Sequence, residues 1–150
     1  MSKLPVLPIN VAGQWLLGKG EEYLSLYPAT GEPVARLKAA GVEDVNEAVA
    51  GADHAFRTSG WAQMLPHVRA GVLHRVAALI RERAEELAQL QRQDNGKPIS
   101  ETRALVASAA GTFQFFAAAL ETLEDTITPS RGPYVTMSVH EPMGVVAAIT

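Results

Sequence analysis

The stretch Glu141-Pro142-Met143-Gly144-Val145-Val146-Ala147-Ala148-Ile149-Thr150 sets the question for the whole chain. A Glu-Pro pair is a loop signal, because proline lacks a backbone donor and biases its predecessor away from helix. Met143 to Thr150 is then a nearly unbroken apolar run, of strand rather than helix length. An apolar run without alternation belongs to a strand covered on both faces, as in the parallel sheet of an α/β protein. No later element in the sequence covers this one.

Upstream of that run, Tyr134, Thr136, Ser138 and His140 alternate with Val135, Met137 and Val139, which reads as a strand. Before it comes helical periodicity. A helix over about Pro98–Glu124 is Ala-rich and nearly neutral in its middle, so it is expected to be buried on most sides. A helix over about Pro66–Asp94 carries Val72, Val76, Leu79, Ile80, Leu87 and Leu90 as one apolar stripe, and Asn95-Gly96-Lys97-Pro98 stops it. A shorter helix begins at Val42, with Val45, Ala48, Val49, Ala52 and Phe56 at helical spacing. Gly41 is its N-cap, and Glu43, Asp44 and Glu47 sit where the helix dipole favours anions.

The first forty residues read as a meander of strands. Ile9–Trp15 is one strand, Leu16 to Gly20 turns the chain, and Tyr23 to Tyr27 is a second apolar cluster. Tyr27–Glu32 is a turn, and Pro33–Ala39 alternates as a third strand.

The chain has 150 residues, 47% of them hydrophobic and 19% charged, with a formal charge of −3. That composition is ordinary for a globular domain. It offers no basic stripe for nucleic acid, and no nucleic-acid partner is expected. There is no cysteine, which excludes disulfides, zinc–thiolate sites and a thiolate nucleophile within these residues. The start, MSKLPVLPIN, lacks the continuous apolar core of a signal peptide. No run reads as a bilayer span. The expectation is a soluble, cytoplasmic chain without a membrane partner.

Motif screens return little chemistry. Gly18-Lys19-Gly20-Glu21-Glu22-Tyr23 begins like a dinucleotide fingerprint but lacks the third glycine and does not open a helix. Gly96-Lys97 has Gln91 and Pro98 where a phosphate loop needs Gly and a hydroxyl. His54, His67, His74 and His140 do not form a metal set. Asp94 stands apart: at a helix end beside a glycine, a carboxylate and free carbonyls could hold a cation through oxygen, or simply finish the helix. Residue chemistry alone assembles no nucleophile, base and oxyanion pocket, so no catalytic residue is expected here.

Five segments in order nevertheless resemble the N-terminal part of the NAD(P)-dependent aldehyde dehydrogenase superfamily. They are YPATGEPVARL, EDVNEAVAGADHAF, Trp61 followed by RAGVLHRVAALIRERAEELAQL, DNGKPISETR, and HEPMGVVAAIT. The match runs over essentially all of the chain from about Ile9. Gly41 departs from it, standing where a Ser or Thr N-cap is usual, a difference of a few tenths of a kcal/mol.

The resemblance implies an α/β fold: a short β-meander, three helices, an oligomerisation-flap strand, and the first strand of a Rossmann-type parallel sheet. The boundaries it implies are residues 1–125 for the N-terminal strands and helices of a cofactor-binding domain, 126–141 for the flap strand, and 142–150 for the first strand of the dinucleotide sheet. In that family a Pro-Trp-Asn segment, the cysteine nucleophile and the glutamate base all lie beyond the position matching Thr150. These residues are therefore expected to be an N-terminal fragment that is inactive alone.

The whole enzyme would oxidise an aldehyde to an acid with NAD or NADP through a cysteine thiohemiacetal. Ile149 and Thr150 match cofactor-cleft positions. Leu26, by its carbonyl, and Asp94 match positions that bind a monovalent cation in some members. A homodimer or homotetramer is implied by the flap. The competing expectation is a non-catalytic helical module that oligomerises or binds a partner through its exposed strands.

Overall fold

The structure is a computed structural model describing residues 4–149. Thr150 lies outside the described residues.

At the N-terminus, β5 (Pro33–Lys38) forms the centre of a three-stranded sheet. It pairs antiparallel with β4 (Glu22–Leu26), and parallel with β1 (Val6–Leu7), where Val6 faces Arg36 and Leu7 faces Leu37. The expected three-strand meander is therefore corrected twice. β1 was not anticipated, because a two-residue strand carries no readable period. The single strand over Ile9–Trp15 is instead a hairpin of β2 (Ile9–Val11) and β3 (Gln14–Leu16). Ala12 and Gly13 both adopt positive φ, +50° and +85°, the requirement of the tight turn whose twist matches a two-residue hairpin.

α1 (Val42–Thr58) begins at Gly41 as expected. Glycine has no side chain to cap with, so Asp44 does the capping from within. Its Oδ2 accepts the N–H of Gly41 at 2.8 Å and the N–H of Lys19 at 2.8 Å. This ties the turn after β3 to the start of the helix. Asp44 is buried, and those two donors, Lys19 first, hold its carboxyl below the usual carboxylate range.

The long helix expected over Pro66–Asp94 is two: α2 (Pro66–Glu82) and α3 (Ala84–Asn95), with Arg83 between them at φ −102°, ψ 21°. Helical bonding continues across the joint, from Arg83 N–H to Leu79 at 3.1 Å and from Leu87 N–H to Arg83 at 3.0 Å. No proline or glycine marks the break, so periodicity could not locate it. A tie to another helix engages α3 just past the joint. Arg103 of α4 (Ile99–Thr122) forks onto Glu85 at 2.8 and 2.9 Å. Gly96 ends α3 at φ +72°, as its position in the sequence indicates.

α4 runs back along α2 and α3 and buries Thr102, Val106, Ala110 and Ala117, one stripe facing Ala70, Ala77 and Ala88. The expected burial on most sides does not hold. Phe115 and Phe116, in edge contact with each other, are 66% and 58% exposed. By length and composition alone α4 could also cross a bilayer, contrary to the sequence expectation. Its buried stripe is engaged with the neighbouring helices.

The Glu85–Arg103 pair sets a pH dependence. Arg103 first, then Gln89, lower the Glu85 carboxyl from 4.5 to about 2. A carboxyl depressed on folding stabilises above its unfolded value, and that contribution is lost as pH falls from about 4.5 through about 2. The thermal midpoint is expected to fall across that window. Arg103→Gln should flatten this part of the profile. An unchanged acid slope in the variant would remove Glu85 from the account.

After α4, β6 (Ile127–Thr128) and β7 (Thr136–Met137) pair antiparallel. Within residues 126–141, where the resemblance implies a flap strand, the pairing is a short hairpin, because Pro129 and Pro133 lack the N–H a longer ladder needs. His140 Nδ1 lies 2.6 Å from Asp125 Oδ1 and closes the base of the hairpin. The terminal run, expected as the first strand of a sheet, has no partner strand here. Residues 143–149 make no strand pairing among the described residues. A strand exists only with a neighbour to share its hydrogen bonds, and none of the described residues supplies one.

Candidate functional site

Residues 142–147 cross the flank of α1 and separate two concavities. On one side, the end of α1, Trp61, Arg69 of α2 and the Asp125–His140 pair surround a cavity of about 740 Å³. On the other, Ile9 to Val11, Asp44, Val45, Val49 and Ala147 line a groove of about 350 Å³. Ala52, Val145 and Val146 border both. The walls are mostly apolar, with a few polar groups converging, the general character of a binding surface.

Among the described residues, each concavity has one side-chain polar atom that is out of solvent and lacks a hydrogen bond. Arg69 Nε is the donor beside the cavity, and Asp44 Oδ1 is the acceptor beside the groove. Lys19 Nζ lies 4.0 Å from Asp44 Oδ1, beyond hydrogen-bonding reach. Neither residue stood out in the sequence as a site candidate. Asp44 carried a weak signal, an acid at the third helical position after a capping glycine. Arg69 carried none.

The sequence-derived site residues fall at two places. Ile149 lies on the unpaired terminal segment and is 97% exposed, while Thr150 is outside the described residues. Leu26 ends β4 and Asp94 sits near the end of α3. The structure draws these two ends together. Arg92 lies over the Tyr27 ring, 6.0 Å from its centroid, and a Cβ on Gly96 would stand 3.0 Å from Pro28 Cβ. Leu26 is aligned with Pro33 across a shift in the β4–β5 register. Asp94 is exposed, open to a cation in water.

Gly18 and Gly20 join β3 to β4, where a Cβ would stand 2.2 and 2.8 Å from the Ala39 carbonyl oxygen. Close backbone packing accounts for them. Among the described residues no three His, Asp or Glu side chains cluster as a metal site.

The sequence profile of the Aldehyde dehydrogenase family matches residues 15–150. Among solved structures, a provisionally assigned aldehyde dehydrogenase of Burkholderia cenocepacia is 33% identical, with a TM-score of 0.82 over 88% of this chain and 28% of its own. A glycine-to-aspartate mutant of the Bacillus cereus aldehyde dehydrogenase is 29% identical, with a TM-score of 0.84 over 91% of this chain and 28% of its own. The NAD-dependent aldehyde dehydrogenase of Sinorhizobium meliloti is 29% identical, with a TM-score of 0.79 over 87% of this chain and 26% of its own. The chain spans about a quarter of the length of these proteins.

Proposed function

The chain belongs to the aldehyde dehydrogenase family, and from that premise we propose that it is the N-terminal part of an enzyme oxidising an aldehyde to a carboxylic acid with NAD or NADP. The observation that carries this is the profile match over residues 15–150, joined by the fold match to an NAD-dependent member. With no cysteine present, these residues hold no thiolate for a thiohemiacetal. Nucleophile and general base would come from outside them.

NAD(P) would supply the acceptor for the two electrons that leave the aldehyde carbon, with water supplying the second acid oxygen. The residues here fit one wall of such a site and no more. Ile149 and Thr150 would line the cofactor cleft, and the exposed Ile149 side chain is open to a ligand's apolar surface. The Gly18–Gly20 run joins two strands and is filled by Ala39, so it supplies no phosphate grip. The Leu26 carbonyl and the Asp94 carboxylate would hold a monovalent cation between β4 and α3. The β6–β7 hairpin, whose Ile127 and neighbouring Val135 are 73% and 71% exposed, would pair between subunits of a homodimer or homotetramer.

A single experiment tests these roles. Residues 15–150 replace the matching segment of the Sinorhizobium meliloti enzyme, and aldehyde-dependent NADH formation is followed in sodium, potassium or tetramethylammonium chloride at equal ionic strength. Turnover is expected from the chimera and none from the 150-residue chain. The cation response should vanish in Asp94→Ala, and light scattering should give a dimer or tetramer. A chimera that folds and binds NAD yet forms no NADH overturns the reading.

A further inference from the structure

Asn95-Gly96 is a reactive pair held in an unreactive arrangement. Of the three asparagines, Asn10 precedes Val11, Asn46 precedes Glu47, and Asn95 alone precedes a glycine. A following residue without a Cβ leaves its backbone nitrogen open to the asparagine side chain. Asn95 ends α3 and is exposed. Its Oδ1 accepts the Lys97 N–H at 3.0 Å. That donor stands where negative charge would gather on Oδ1 if the neighbouring Cγ were attacked. The nucleophile, by contrast, is engaged: the Gly96 N–H donates to the Arg92 carbonyl at 2.9 Å. Gly96 is also held at φ +72°, with Pro28 beside it.

We propose that Asn95 is a self-modification site, deamidated by attack of the Gly96 nitrogen on its Cγ, and that the cap of α3 sets the rate. The Gly96 amide gives its proton to solvent base, and the bond from Gly96 N to Cγ forms. The bond from Cγ to the side-chain nitrogen then breaks, and ammonia leaves with a proton taken from water. Water opens the resulting cyclic imide at either carbonyl, giving aspartate or isoaspartate at position 95. No electrons are gained or lost, and the net change is NH2 exchanged for OH. The last turn of α3 must open first, because the Gly96 nitrogen cannot serve the Arg92 carbonyl and attack Cγ at once. A helix end opens more readily than the whole chain unfolds, so folding slows the reaction without abolishing it. The product places a new carboxylate at the negative end of the α3 dipole, next to Asp94, so the cap is weaker after conversion than before.

The test incubates the 150-residue chain at mildly alkaline pH, with and without urea, while circular dichroism follows the helices. Tryptic peptides are then weighed, and isoaspartate is counted by enzymatic methylation. The exchange is expected in the peptide Gln93–Arg103 and not in those holding Asn10 and Asn46. It should run slower by about tenfold or more without urea than with it. Tyr27→Ala removes the ring beneath Arg92. It should speed the reaction of the folded chain by about twofold or more, and leave the rate in urea unchanged. Asn95→Gln should abolish the isoaspartate.

No conversion of Asn95 in urea overturns the proposal, as does conversion of Asn10 or Asn46 at the same rate. Equal rates with and without urea overturn the role of the cap.

Discussion

Gly18→Ala is expected to lower the thermal midpoint by about 6–12 °C. A methyl at this position would stand 2.2 Å from the Ala39 oxygen, 2.6 Å from the Lys38 oxygen and 2.7 Å from the Ala39 carbonyl carbon. All three are backbone atoms at the end of β5, so no side chain can rotate away. Relief requires the β3–β4 turn to lift. Lifting it strains the Gly20 N–H bond to Ala39 at 2.8 Å and the Lys19 N–H bond to Asp44 at 2.8 Å. Overpacking of this kind costs about 3 kcal/mol at the upper end of its usual range, and each kcal/mol moves the midpoint of a chain this size by about 2–4 °C.

Gly71→Ala is the matched control. It lies within α2, and a methyl added there would meet nothing inside 4 Å, so it should stabilise by about 0.4–1 kcal/mol through the unfolded chain. Circular dichroism melts of the two variants decide the matter. Equal midpoints would mean that the turn does not sit against β5.

Ala110→Leu should have the next largest effect, a loss of about 1–3 kcal/mol. Ala110 is fully buried in the stripe that α4 turns toward α2 and α3, where the facing buried residues are alanines. Small residues let the helix backbones approach, and a leucine there must push them apart or take a strained rotamer. Phe115→Leu, on the exposed side of the same helix, should change stability by no more than about 0.5 kcal/mol. Urea unfolding checks both, and an unchanged slope would confirm that stability alone has shifted. A loss at Phe115 equal to that at Ala110 would mean that α4 presents the opposite face to its neighbours.

The same stripe shows what the hydrophobic pattern conveyed and what it did not. Helicity of Ile99–Thr122 is plain from an Ala-rich run without proline. Its burial was overestimated, because a nearly neutral helix looks alike whether neighbours cover one side of it or all. Arg69 is a sharper instance. It is one of many arginines in the α2–α3 sequence, and only packing shows that its Nε lies out of solvent and without an acceptor. Asp44 was read as an acid favoured by the helix dipole. Its larger role, holding Lys19 and Gly41 together, depends on a residue 25 positions away.

By itself the sequence determined the α/β class, the start of α1 at Gly41, the proline start of α2, the glycine stop after α3, and the family. These rest on signals within one or two turns of chain, or on the order of segments. Tertiary structure alone decided the break at Arg83, the parallel pairing of β1 with β5, the Ala12–Gly13 hairpin, and the meeting of the Leu26 and Asp94 ends. Most of these depend on contacts between residues far apart in the chain, as Glu85 with Arg103 or Val6 with Arg36. Their free energy appears only once both partners are folded into place. The hairpin belongs with them: Ala12, at positive φ, sits close against Gly51 of α1, where an added Cβ would stand 2.6 Å from that of Ala12.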